Sequence, residues 1–411
     1  MNLLNEGKLT AIIKSRILNN FKLIVKHYDM KIKRIKISIR LISFVSLASL
    51  LFITGCKHEK LPKLKDAFKD DFYIGAALTG NQVRQKDPII MTILKDQFNT
   101  ITSENALKWD TVHPELNKYS FEKADSFVAL GMRNNMFIIG HCLIWHQQVP
   151  RWVFEDKSGN PVSRDTLLKR MHDHILTVVT RYKGKVNGWD VVNEAIDENG
   201  ELRNTKWLEI IGEDYIQKAF EYAHEADTDA ELYYNDYNIE QPAKREGTIN
   251  RIIKPLQAKS VKIDGIGIQA HWHLDTPAFQ IVDSSISKFA ATGIKVMFTE
   301  MDINVLPRPE NLATAEISEN FQLTKESNPF PESMPDSVQK QLADRYAGFF
   351  KIFLFYKDKV SRVTFWGIED GQSWLNNWPI RGRTNYPLLF DRNLQPKSAF
   401  YAIIKEAGSD K

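Results

Sequence analysis

Val186-Asn187-Gly188-Trp189-Asp190-Val191-Val192-Asn193-Glu194 is a short apolar run that ends on a carboxylate, and Ile294-Lys295-Val296-Met297-Phe298-Thr299-Glu300-Met301-Asp302 repeats the pattern further along. Neither run alternates polar and apolar residues over its length, so each reads as a parallel strand buried on both faces. Similar runs recur at Phe72–Ala76, Thr100–Thr102, Met136–Gly140, Glu231–Tyr234, Gly265–Gln269 and Val363–Trp366. Between them the pattern predicts helices over Glu122–Arg133, Arg164–Tyr182, Tyr215–Ala226, Lys244–Ala258, Ile286–Thr292 and Ser337–Phe355. In the last, Leu342, Tyr346, Phe349, Phe350 and Phe353 fall at three- or four-residue steps and form one apolar face. About eight strand–helix units imply an α/β protein built as a closed (β/α)8 TIM barrel. A doubly wound open sheet is the alternative, but no glycine-rich phosphate loop follows any strand.

The strands place their polar residues at their C-terminal ends: Ser103-Glu104-Asn105, Gly140-His141, Asn193-Glu194, Asn235-Asp236, Gln269-Ala270-His271, Thr299-Glu300 and Trp366-Gly367. In a barrel these ends meet on one rim, where active sites form. A buried carboxylate is costly unless it is paired, hydrogen-bonded or used. Two of them, Glu194 and Glu300, are what cleavage of a glycosidic bond requires: an acid for the leaving oxygen and a nucleophile or base for the anomeric carbon. Asn193 suits a hydrogen bond to a sugar hydroxyl, and His271 can hold the Glu300 carboxylate, with Asp302 behind it. Trp366 and Trp374 offer indole faces to sugar rings, with Glu104, Asn105 and Lys108 for the hydroxyls. His141, Cys142 and His146, or His271 and His273, lack a third ligand set at metal spacing, so no metal and no cofactor is expected. The Pro307 to Asp336 stretch, polar and Pro-rich, follows the Glu300 strand and reads equally as a mobile loop or as a segment that faces the substrate.

The 411-residue chain is 43% hydrophobic and 26% charged, and its net charge of +4 comes from its beginning. Residues 1–56 hold ten Lys and Arg against two acids, a balance of +8, which leaves −4 for the remainder and argues against a nucleic-acid partner. The basic leader, the apolar run from Ile42 to Ile53 and Thr54-Gly55-Cys56 describe an export signal, too short to span a membrane. Leu51-Phe52-Ile53-Thr54-Gly55-Cys56 resembles a bacterial lipobox, which implies lipidation of Cys56, a membrane anchor, and an exported protein displayed in the periplasm or at the cell surface. Met30 reads as the true start. The expected organisation is a leader over 1–55, a lipidated cysteine and tether over 56–70, and one catalytic domain over 71–408, as a monomer. Cys142 is the other cysteine, so with Cys56 acylated no disulfide forms within the chain.

Five segments fit a known family in order: Thr102–Trp109, Gly140–Gln148, Trp189–Glu194, Gly267–His271 and Thr299–Asp302. With Trp366 and Trp374 they resemble the motifs of glycoside hydrolase family 10, mainly endo-β-1,4-xylanases, over roughly Phe72 to Ile404. The resemblance implies a barrel, hydrolysis with retention of configuration, and a rim cleft for xylan. It implies Glu194 as acid/base and Glu300 as nucleophile. Glu104, Asn105, Lys108, His141, Trp145, Gln148, Asn193, Gln269, His271, Trp366 and Trp374 would line the sugar subsites before the cleavage point. Cys142 replaces a commoner threonine, and strand alternation should turn it away from the cleft. Two other readings compete: a retaining β-glycanase for another β-1,4-linked polysaccharide, and a surface lipoprotein that binds glycan without cutting it.

Overall fold

Parallel pairing of the apolar runs organises the protein, seen here in a computed structural model that describes residues 14–16, 18, 20–33, 61–84, 87–309 and 320–408. Nine strands form one sheet: β1 Tyr73–Leu78, β2 Thr100–Ser103, β3 Phe137–Ile144, β4 Gly188–Asn193, β5 Glu231–Asp236, β6 Gly265–Ile268, β7 His271–His273, β8 Lys295–Asn304 and β9 Val360–Phe365. β1 to β6 pair in sequence order, β9 returns to β1, and β6 pairs with β8, which closes an eight-stranded parallel barrel. All eight expected strands are present within a few residues of their predicted bounds.

β7 was not anticipated. It lies outside the ring and, among the described residues, pairs only with the far half of β8, with His271 opposite Asp302. This explains why β8 runs ten residues. Its first half, Lys295 to Phe298, closes the barrel on β6, and its second half supports β7.

Five of the six expected helices stand where periodicity placed them, with local reasons for their ends. Glu122–Arg133 and Tyr215–Ala226 have the predicted bounds, and Arg164–Arg181 starts at Ser163, whose side chain accepts from Thr166 N. The Lys244 helix begins at Pro242, which needs no N–H donor there, and is helical to Ala258 through a π turn at Ile249–Ile253. The helix expected over Ile286–Thr292 runs instead from Phe279 to Ala290. Its buried face is Val282, Ser285, Ile286 and Phe289, and Ser285 breaks the apolar pattern at the position that would have revealed the first turns. Phe279 packs at 4.9 Å against Phe349 of the long Asp336–Phe355 helix. On that helix all five predicted apolar residues are buried, and Phe353 stacks at 3.9 Å on Phe298 of β8. Each such side chain contributes about 1.5–3 kcal/mol by leaving water. Helices at Pro88–Gln97 and Ser398–Gly408 complete the coat and were not foreseen.

Inside the barrel, Ile139 of β3, Tyr233 of β5 and Met297 of β8 pack into one apolar cluster. These are alternate strands of the ring, which is how a barrel layer is filled. Gly140 is glycine for a reason of packing: a Cβ there would stand 2.1 Å from the Trp189 ring.

The chain divides into two compact units, Met1–Leu61 and Pro62–Lys411. The second begins inside the stretch read as a tether, because Leu64 and Phe68 are fully buried. In the first, residues 20–33 are helical and exposed. The Ile42–Ile53 run and Cys56 lie outside the described residues. No described helix is long and apolar enough to cross a membrane.

Candidate active site

Glu194 is the first residue past β4, and its backbone leaves the strand in the left-handed region at φ +57. Its N–H still donates to Asn235 O of β5 at 2.9 Å, so the turn is anchored where the side chain departs. The carboxylate is buried and accepts from three neutral donors. Trp145 Nε1 reaches Oε2 at 2.8 Å, while Gln269 Nε2 at 3.0 Å and Asn193 Nδ2 at 3.1 Å reach Oε1.

Glu300, on β8, is held differently. Asn235 Nδ2 donates to its Oε1 at 2.8 Å, and His271 Nε2 lies 3.3 Å from Oε2. His271 Nδ1 lies 3.1 Å from Asp302 Oδ1, and Trp374 Nε1 donates to Asp302 Oδ2 at 2.8 Å. Burial alone would push the imidazole down, but Asp302 and then Glu300 more than offset it and hold His271 up at about 10. It is therefore an imidazolium at neutral pH. Burial would raise Glu300, yet the His271 hydrogen bond, the charges of His141 and His271, and the Asn235 amide hold it below the usual carboxylate value.

Three amides bridge the two acids. Asn235 Nδ2 also donates to Asn193 Oδ1 at 2.9 Å, and Gln269 Nε2 reaches that same oxygen at 3.3 Å as well as Glu194. The bridge depends on a missing side chain: a Cβ on Gly267 would stand 2.3 Å from Asn235 Oδ1.

One wall of the site carries the remaining predicted residues. Lys108 Nζ donates to Gln148 Oε1 at 2.8 Å and Asn105 Oδ1 at 3.2 Å, and stands 4.8 Å over the Trp145 ring. Glu104 is pushed up to about 7 by burial, lowered by Lys108 and raised again by Glu300. His141 Nδ1 lies 3.0 Å from Asp190 Oδ2, and the Trp366 ring stands edge-on to both His141 and His271, at 5.6 and 6.2 Å. Gln148 shares the left-handed backbone of Glu194, at φ +48. Such strain persists only where surrounding contacts over-determine it, and it gathers at functional sites.

The structure thus brings the predicted residues together on one rim. It adds Asn235, Asp190 and Trp378, the last stacked at 4.7 Å on Trp374. Asn235 stood in a quoted strand-end motif and Asp190 inside the Val186–Glu194 run, but spacing says nothing about which carboxylate an amide will reach. Cys142 is buried, and its thiol is pushed well up by burial, with smaller effects from Lys108, Asp190, Glu194 and Glu300. It lies within electrostatic reach of the site, at the register shift between His141 and Ile144, where simple alternation fails. Beyond His271 and Trp374 a pocket opens, lined among others by Tyr237, Asn238, Asn304 and Trp378.

The sequence matches the model of "Glycosyl hydrolase family 10" over residues 63–406. It is 46% identical over 344 residues to "Endo-1,4-beta-xylanase A" of Xylanibacter ruminicola, covering 84% of this chain and 93% of that one. It is 42% identical to "Beta-1,4-xylanase" of Dictyoglomus thermophilum, over 85% of this chain and 92% of the relative. Among solved structures, a GH10 endoxylanase from a sugarcane soil metagenome superposes with a TM-score of 0.81 at 43% identity, covering 83% of this chain and 99% of the other.

Proposed function

The chain belongs to glycosyl hydrolase family 10, and on that premise we propose the reaction its rim performs. The protein is an endo-β-1,4-xylanase that cuts xylan with retention of configuration by double displacement. The observation that supports the residue roles is the unequal surroundings of two bridged carboxylates. Glu300, beside an imidazolium, stays anionic and attacks the anomeric carbon. Glu194, among neutral donors, carries the proton and gives it to the departing oxygen. A glycosyl ester forms on Glu300, and Glu194, now a base, takes a proton from the water that releases the sugar. Direct attack requires the two carboxyl groups to stand about 5–5.5 Å apart.

Asn193 and Asn235 hold the acids apart and in register, and the Asn193 amide is placed to meet a sugar hydroxyl. Glu104, Asn105, Lys108 and Gln148 take hydroxyls of the chain on one side of the cut, with Trp145, Trp366 and Trp374 as packing faces and Gln269, His141 and His271 between them. Xylose lacks an exocyclic hydroxymethyl group, and the bulk of Trp366 at the rim disfavours sugars that carry one. Initial rates on xylan, carboxymethylcellulose and mannan test this choice. Xylan should be hydrolysed fastest, with new reducing ends; faster release from a hexose polymer would reassign the substrate.

Export with an anchor completes the reading. The basic, apolar and lipobox-like order of residues 1–56 supports cleavage before Cys56 and acylation of its thiol, with the barrel held at a membrane surface. Expression with a labelled fatty acid checks it: the wild type should carry label and Cys56→Ala should not. Label on both forms, or on neither, would remove the anchor.

A further inference from the structure

The backbone just past Glu194 is bonded on both its edges. Tyr234 is fully buried on β5, and its hydroxyl accepts from two consecutive N–H groups, Ala195 at 2.9 Å and Ile196 at 3.1 Å. The same hydroxyl donates to Asp236 Oδ2 at 2.5 Å. Asp236 Oδ1 in turn lies 2.9 Å from Lys244 Nζ, and neither side chain is exposed. On the carbonyl edge, Arg203 Nε donates to Glu194 O at 3.0 Å and Arg203 NH2 to Ile196 O at 3.2 Å, with the Tyr237 hydroxyl 2.8 Å from that NH2.

A hydroxyl has one proton and two lone pairs. Asp236 takes the proton, so both lone pairs are aimed at the two amides. The segment so gripped follows directly on the left-handed Glu194, a conformation that neighbours must hold in place. A buried lysine–aspartate pair is weak evidence for stability as such. Here its reach ends on the chain that carries the proposed acid.

We propose that Tyr234 and Asp236 are positioning residues for proton transfer: the Tyr234 hydroxyl, oriented by Asp236 and Lys244, fixes the turn after Glu194 and so aims its carboxyl at the leaving oxygen. This rests on Glu194 being the acid. A residue that positions the acid matters most where the leaving group needs a proton. A residue that only supports the fold lowers all substrates together.

Tyr234→Phe removes the one oxygen involved. On phenyl β-xylobioside, a poor leaving group, its kcat/KM should fall about 10–100-fold, part of the contribution of a placed acid. On 2,4-dinitrophenyl β-xylobioside, which leaves unprotonated, the fall should be about twofold or less. Equal losses on the two substrates, or no loss on either, would overturn the proposal. Glu194→Ala, measured alongside, should show the same split in larger form. If it does not, the acid assignment is what fails; if it does while Tyr234→Phe shows none, the positioning role alone fails. Asp236→Asn keeps an acceptor for the hydroxyl but discharges the Lys244 pair, and should give a smaller split. Should Tyr234→Phe not fold, absence of a split in Asp236→Asn overturns the proposal.

Discussion

The ends of β4 and β8 present the same side chain and treat it in opposite ways. At the end of β4, Glu194 is surrounded by an indole and two amides, donors that stabilise a carboxylate without adding charge. At β8, Glu300 lies against a histidine held up at about 10 by Asp302 and by Glu300 itself. The cation beside Glu300 favours its anion and holds it below the usual carboxylate value. One residue type thus acquires two roles from its neighbours, and the amides of Asn193, Asn235 and Gln269 keep the two settings adjacent.

Removing the β8 carboxylate should have the largest effect. Glu300→Ala should lose about 10⁵-fold or more in turnover of xylan, as expected for a covalent nucleophile, with no rescue by azide. Glu194→Ala should lose about 10²–10⁴-fold, the range for general acid–base catalysis, and azide should restore turnover of an activated aryl xylobioside by replacing the water that needed a base. Reversal of the rescue pattern would exchange the two roles.

Changing the surroundings should cost less. His271→Asn keeps a hydrogen-bonding side chain and removes the cation, so Glu300 should hold its proton to higher pH. The acid limb of the kcat/KM profile should move up in pH, with a loss of about 10–100-fold at neutrality. An unmoved limb would mean that the imidazolium does not set the charge of Glu300. The same histidine carries a stability term of defined sign. Its folded value of about 10 lies above the unfolded value of about 6.5, so its contribution is complete below about pH 6.5 and is lost as pH rises toward 10. Alkaline melting curves of the wild type should therefore fall more steeply than those of His271→Asn.

The strands were legible because burial on two faces forces a continuous apolar run, and the long Asp336–Phe355 helix because its five apolar residues share one face. Phe279–Ala290 was misplaced because Ser285, which bonds the carbonyls of Glu240 and Ile281, interrupts the stripe with a satisfied polar group. β7 was hidden because three residues, His271-Trp272-His273, carry too little pattern to show a pairing that only β8 supplies. Asn235 resembled every other polar strand end until the closed ring set it between Asn193 and Glu300.

The order of elements, the rim they share and the pair of acids were written in the chain, since periodicity and strand-end chemistry are local properties. That Trp145 and Gln269 meet Glu194, while Asn235 reaches both Asn193 and Glu300, was decided only by closing the barrel. Charge acts through space between strands distant in sequence, and the register of β7 on β8, the gap left by Gly267 and the turn held beyond Glu194 exist only in the folded ring.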